Sequence, residues 1–375
     1  MRIFFLILIG IHAFIHLLGF LKGFGIKEVK ELTLPISKPM GMLWLMTTFL
    51  FLTYAISYAL NHKYAWFFGI IAAVLSQILI VLFWKDAKWG TLPNLAILIV
   101  SIFAYGHYHF NQLVQTETLK LFNQSKTSTK RIIIEKDLTK LPQAVQKWMR
   151  RSAVVGKPYI LIGKVTQEAE MKLKPDQDDW FKAKAVQYST MDVPAFIWMV
   201  DVQMNPFLSF RGRDKFVAGK GEMLIKLNSL INVVNAKGEK IDEGSLQRYL
   251  GEMVWFPSLA LSPYVNWQEI DDSTAIATMD YQGTKGSGTF YFNSEGDFIK
   301  YSALRFKGNE TDAKRYEWVL LVDGYKTFEG IKVPSKMTAK WKLESGEWTW
   351  LKLKITDIKY NESTSSYYEG SSIKL

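Results

Sequence analysis

The sequence predicts a four-helix transmembrane domain followed by an α+β domain, a curved antiparallel β-sheet of half-barrel type under a helical lid. Three observations predict it. Apolar residues crowd into the first third of the 375-residue chain, although the mean hydropathy of the whole is only +0.02. Beyond a polar stretch, the hydrophobic period changes from 3.6 to 2, the step from helices to half-buried strands. A single amphipathic segment near 245–256 then interrupts the strand-like part. The domains expected on these grounds are 1–113 in the membrane, 114–140 as a linker or stalk, and 141–375 as the β-domain with its lid helix.

Residues 3–21, 41–60, 64–84 and 93–110 form four runs almost without charge. As helices, each would span roughly 27–32 Å, close to the ~30 Å hydrocarbon core of a bilayer. A signal peptide would explain the first run alone. Lys22, Lys27, Lys30 and Lys38 follow the first run, and Lys85 and Lys88 follow the third, whereas Arg2 and Lys63 mark the other side. Short loops rich in Lys and Arg stay in the cytoplasm, so both termini and the large domain are expected outside it. Lys120, Lys126, Lys130 and Arg131 argue the other way. They weigh less, because long domains are translocated largely regardless of charge. Trp84 and Trp89 flank the third loop as interfacial anchors would. The expected location is a bacterial inner membrane, crossed several times.

The net charge of +11 is not gathered on one stripe. Nucleic-acid binders concentrate their charge, so nucleic acid is not an expected partner, and a solvated surface beside anionic membrane lipid is. The chain has no cysteine, which excludes disulfides, thiol nucleophiles and thiolate metal sites. No histidine lies beyond residue 109, which excludes a histidine-based triad from the second domain. The "GKG" at 219–221 lacks the spacing and following helix of a phosphate loop. Catalytic residues are not identifiable from the sequence. Asp201, Asp214, Glu252 and Asp280 are available carboxylates, but a chain of this size always has such a set. A binding protein is expected rather than an enzyme.

The elements of the second domain follow in order. "LPQAVQKWMRRSAVVGKP" predicts a short amphipathic helix, with Pro142 at its start and Ala144, Val145, Trp148 and Met149 on one face. "TAIATMDYQ", "GTFYFNSEGDFIKYSALRF", "YEWVLLVDGYKTFEGIKVPSKMTAKWKL" and "WLKLKITDI" alternate as strands, turning at Gly296 and at Glu329–Gly330. "GSLQRYLGEMVWFPSLALSP" predicts the lid helix, capped by Ser245 and stopped before Pro257, with Leu246, Tyr249, Leu250 and Met253 facing the sheet. Nine of the thirteen tryptophans fall in this domain, enough to line an apolar hollow.

The segments "LPQAVQKWMRRSAVVG", "RGRDKFVAGKGEMLIKL", "RYLGEMVWFPSLAL" and "GYKTFEGIKVPSKMTAKW" resemble an uncharacterised bacterial membrane-protein family, a domain of unknown function, over about 140–360. The opening "IHAFIHLLGFLKGFG" is similar to the membrane leader that family carries. The strand pattern around "EGIKVPSK" resembles the lipoprotein-carrier (LolA/LolB-like) half-barrels. The first likeness implies no activity. The second implies a concave sheet that shelters acyl chains.

Two clusters could carry chemistry. His12 and His16 lie one turn apart on the first run, and His107 lies near the end of the fourth. Together they could hold a divalent metal or haem. Read instead as neutral imidazoles, they bond helix to helix, and no cofactor is then needed. On the lid helix, Arg248, Glu252 and Trp255 share a second face. Arg before Glu is the poorer order for a helical ion pair, which points Glu252 toward Arg211 or Arg213. With Trp198 and Trp318, these residues form the expected ligand set. The leading expectation is an envelope protein that binds a lipid or acylated ligand in this hollow. A membrane redox protein with its cofactor at the histidines, and a structural partner in an envelope complex, remain alternatives.

Overall fold

The computed structural model describes residues 2–125, 129, 131–206 and 208–362. Lys126 and Lys130, counted above for orientation, lie outside the described residues. The chain divides into two compact units, Met1–Gln112 and Leu113–Leu375.

The first unit contains α1 (Arg2–Gly23), α2 (Lys38–Ala59), α3 (Ala65–Leu82), the single-turn α4 (Trp84–Ala87) and most of α5 (Thr91–Gln124). Four helical stretches are long and apolar enough to cross a membrane. Ile7, Ile11, Phe14 and Ile15 on α1 are each more than half exposed. Such outward apolar faces suit hydrocarbon rather than water. Polar contacts tie its helix ends and loops together. Arg2 donates to the carbonyls of Tyr58 (3.0 Å) and Ala59 (2.6 Å), covering the C-terminal end of α2. Asp86 accepts from the Thr33 amide (2.6 Å), the Thr33 hydroxyl (2.7 Å) and the Leu34 amide (2.9 Å), which ties the first loop to the third.

The second unit begins inside α5, which runs to Gln124. The expected linker of 114–140 is therefore partly helical. Val114, Thr118, Leu121 and Phe122 recur at helical spacing and are buried, so the polar residues between them are the outer face of a docked helix. α6 (Glu135–Leu138) and α7 (Gln143–Arg151) follow, and α7 buries Ala144, Val145, Trp148 and Met149.

The sheet has thirteen strands, all antiparallel to their neighbours. One meander comprises β1 (Ile162–Met171), β2 (Phe181–Thr190), β3 (Ala195–Gln203), β4 (Ser209–Val217), β5 (Lys220–Leu227) and β6 (Ile231–Lys237). The other comprises β7 (Val265–Asp271), β8 (Thr274–Tyr281), β9 (Thr284–Phe292), β10 (Phe298–Phe306), β11 (Arg315–Phe328), β12 (Ile331–Leu343) and β13 (Gly346–Tyr360). Pairing of β1 with β13 joins the two meanders into one sheet. The turns at Gly296 and Glu329–Gly330 stand where the sequence predicts them. The sheet curls into a half-barrel until two of its turns meet, the Thr284 hydroxyl donating to the Gly219 carbonyl at 2.6 Å.

α8 (Glu239–Gly251) lies within the curl and packs against β4–β6 on one arm and β8–β10 on the other. It starts at Glu239, earlier than the Ser245 the sequence points to. Gly238, at φ +113°, makes the sharp change of direction from β6 that a side chain would oppose. Asp242 then fastens the first turn by accepting the Gly221 amide at 2.8 Å. The helix gives way to 3-10 turns at Glu252–Trp255 and Pro257–Leu261. Leu246, Tyr249, Leu250 and Met253, the predicted apolar face, are at most 2% exposed. Tyr249 donates to the Thr190 carbonyl (2.6 Å), and Tyr301 of β10 donates to that of Gln247 (2.8 Å). A buried tyrosine thus keeps its hydroxyl satisfied on each arm.

Candidate functional site

The inner face of the curl does not close against α8 along its whole length. It leaves a cavity of about 480 Å³, within the range of small-molecule sites. Strand alternation decides what lines it. On β3, Trp198, Val200 and Val202 point inward; on β4, Phe210, Gly212 and Asp214 do. Six tryptophans line the wall: Trp198, Trp255, Trp318, Trp341, Trp348 and Trp350. Three form a ladder across neighbouring strands, Trp318 opposite Trp341 and Trp341 opposite Trp348. A bulge in β13 opposite Ala339–Lys340 adds Trp350 to the same wall. Trp255 is 2% exposed at the closed end, whereas Leu173 (40%) and Val233 (53%) mark an open rim.

Polar groups gather at the closed end, against the helix. Arg248 donates to Asp214 (2.9 Å), Glu252 (2.8 Å) and the Gln187 side-chain carbonyl (3.2 Å). Gln187 in turn donates to Glu252 at 2.7 Å. The Arg248 guanidinium stacks 4.6 Å from the Trp198 ring centroid and 5.0 Å from that of Phe196. Burial pushes the Asp214 carboxyl above its ordinary value, against the pull of Arg248, Arg213 and Arg305. Contrary to the sequence expectation, Glu252 takes its cation from Arg248. The less favourable order is overridden because the same guanidinium also bridges to β4.

Arg305 on β10, which the sequence reading missed, completes the closed end. Its guanidinium lies 4.2 Å from the Trp318 centroid, and its buried Nε has no hydrogen-bond partner among the described residues. Burial pulls its pKa down to about 10, so the group is still a cation at neutral pH. The signal available in the sequence was its place in "YSALRF", where Tyr301, Ala303 and Arg305 share one strand face.

Of the predicted ligand set, Arg248, Glu252, Trp255, Trp198 and Trp318 converge in the cup, and Arg211 and Arg213 do not. Those two arginines are odd-numbered on a strand whose even-numbered residues point inward, so they stand on the outer face. There Arg211 pairs with Asp201 at 2.7 Å, and Arg213 pairs with Glu117 of α5 and with Glu222, each at 3.1 Å. Burial pushes the Glu222 carboxyl up. Hydrogen bonds from Lys237 and Lys215, aided by the charges of Lys215 and Arg213, outweigh that and hold it at about 2. A wider groove of about 760 Å³ also lies on this face. Its charges face one another in register, Glu168 opposite Lys184 and Lys354, and Glu170 opposite Lys182 and Lys352, as on a solvated sheet surface.

In the first unit, His12 and His16 lie together, their ring centroids 4.6 Å apart, but both rings are engaged. His12 Nε2 bonds Asn94 Oδ1 at 2.9 Å, His16 Nε2 bonds Ser76 Oγ at 2.8 Å, and His16 Nδ1 bonds the His12 carbonyl at 2.8 Å. Asn94 donates onward to Gln77 at 3.1 Å. The pair thus links α1 to α3 and α5 as interhelical polar glue. His107 is thirteen residues beyond Asn94 on the same helix, roughly 20 Å along its axis, and does not join the pair. Among the described residues, no three His, Asp or Glu side chains are placed to hold one metal ion.

A family model, described as a family of unknown function (DUF6544), matches residues 131–353. The chain belongs to the DUF6544 family. All the residues that line the cup, from Gln167 to Leu353, fall within that match, and the four apolar helices fall outside it. No curated protein matches the chain. A DUF1329 family protein from Desulfovibrio piger is 9% identical, covers 62% of this chain and 98% of its own, and has a TM-score of 0.35. A LolA superfamily protein from Nitrosomonas europaea is 11% identical, with 62% and 94% covered and a TM-score of 0.30. A β-barrel-like DUF1849 protein from Brucella abortus is 6% identical, with 54% and 98% covered and a TM-score of 0.20.

Proposed function

We propose that this DUF6544 chain is a membrane-anchored protein of the bacterial envelope that binds a lipid or other amphiphile in the cup of its β-unit. The observation that carries the reading is the cup itself, about 480 Å³ walled by six tryptophans and open at an apolar rim. Exposed apolar walls of this extent are costly in water, and an alkyl chain would cover them at roughly 25 cal/mol per Å² removed from solvent. The four apolar helices supply the anchor. The lysines of the first and third loops favour a β-unit on the extracytoplasmic side of the inner membrane.

Native mass spectrometry of the full-length chain, released from detergent micelles, tests the reading. The expected spectrum contains a chain carrying one amphiphile that survives detergent exchange. A spectrum of bare chain alone, from preparations made under several mild detergents, contradicts it.

A further inference from the structure

Resting on that binding role, we propose that the cup takes its amphiphile head first and selects an oxyanion head, a carboxylate or phosphate, which Arg305 and neighbouring donors hold at the closed end. Among the described residues, five buried polar atoms of the cup have no hydrogen-bond partner: Gln167 Nε2, Arg305 Nε, Trp318 Nε1, Trp348 Nε1 and Trp350 Nε1. All five are donors. Arg305 and Trp318 stand together at the closed end, whereas the backbone of Trp350 bonds Lys172 beside Leu173 of the rim. The closed-end carboxylates, Asp214 and Glu252, already accept from Arg248 and Gln187. A buried donor left unmade is costly, so a complementary ligand must bring acceptors and need bring no donors. Oxyanions are acceptor-only groups, and the planar guanidinium fork suits them.

The formal charges at the closed end balance, Arg248 and Arg305 against Asp214 and Glu252. The balance is unevenly shared. Arg248 has both carboxylates in direct contact, whereas among the described residues Arg305 has none within 4.0 Å. An oxyanion touching Arg305 at hydrogen-bond distance would interact more strongly than carboxylates farther away, because the attraction falls with separation. The direction of entry follows from exposure. Trp318 beneath Arg305 is 4% exposed, whereas Val233 at the rim is 53% exposed, so the head lies deep and the tail runs along the tryptophan ladder to the mouth.

The test uses the full-length chain in lipid nanodiscs and three photoreactive probes with the same diazirine-bearing alkyl tail: a fatty acid, the matching alcohol and the matching alkyl phosphate. Cross-linked peptides are mapped to the cup by mass spectrometry. The acid, the phosphate or both should label cup peptides roughly ten-fold more than the alcohol, the equivalent of one charge-assisted hydrogen bond. Whichever probe labels more identifies the source of the head. Arg305→Met should reduce that ratio to about one while alcohol labelling stays constant. Arg305→Lys keeps the charge without the planar fork, so its ratio should fall between the two, and it decides the matter if the Met variant does not fold. Equal labelling by acid, phosphate and alcohol, or a wild-type ratio in both variants, would overturn the proposal and leave the binding role standing. Absence of cup labelling by all three probes would instead overturn the binding role.

Discussion

At the scale of single residues, strand parity governs the site. Arg213 and Asp214 are neighbours in sequence, yet one meets Glu117 outside the sheet and the other meets Arg248 inside it. Arg248, Glu252 and Trp255 were legible together because the helix period puts them on one face; Trp198 and Trp318 were named with them, whereas Trp341, Trp348 and Trp350 were not. The misplacement of Arg211 and Arg213 had a simple source: "RGRD" reads as a charge cluster until the strand register assigns its faces. Arg305 was missed because its one signal is strand parity, the face it shares with Tyr301 and Ala303, and a single arginine at a strand end reads as solvent-facing. Removing Arg248 takes from two buried carboxylates the cation they are in direct contact with, so Arg248→Met should lower stability by about 3–5 kcal/mol at neutral pH. Chemical denaturation of wild type and variant checks this. Glu222 titrates at about 2 in the folded chain, below its ordinary value near 4.5. Its contribution is therefore complete above about pH 4.5 and lost as pH falls toward 2. Glu222→Gln should melt below wild type at neutral pH, and the gap should close across that window.

At the scale of elements, six of the thirteen strands, β8–β13, and both of the quoted glycine turns were readable from period-2 alternation. Two helix boundaries were not. α8 begins in "EKIDEG", whose charges look like a loop, and only the chain reversal at Gly238 and the anchoring of Asp242 reveal the start. The end of α5 looked like a linker because its polar outer face dominates the composition while one narrow stripe docks. Packing between α8 and the sheet makes a further prediction. A Cβ on Gly288 would run into the Tyr301 ring, whose hydroxyl bonds the Gln247 carbonyl of α8. Gly288→Ala should therefore destabilise by about 1–3 kcal/mol through overpacking. Removing the hydroxyl alone, in Gly288→Ala/Tyr301→Phe, should not restore the loss, because the ring carbons Cζ and Cε2 still obstruct the new Cβ. Thermal unfolding of the single and double variants distinguishes the cases.

At the scale of the molecule, the chain joins an apolar helical unit to a curled thirteen-stranded sheet that keeps an apolar hollow open. That division was plain in the sequence because hydrophobic run length and hydrophobic period are both strong signals. Whether the hollow is filled by side chains was not legible, since it depends on how far the sheet curls. Full-length chain should sediment with membranes and resist alkaline carbonate extraction, and it should leave the pellet only with detergent.

The comparison that reaches the central claim most directly fills the cup from within. Leu351 lines the wall on β13 and is only partly buried, so a larger ring there has room to turn inward. Native mass spectrometry of wild type and Leu351→Trp, purified side by side, should show one retained amphiphile on the wild type and little or none on the variant, at equal melting temperature. The same adduct at the same occupancy on both chains would place the lipid elsewhere and contradict the account.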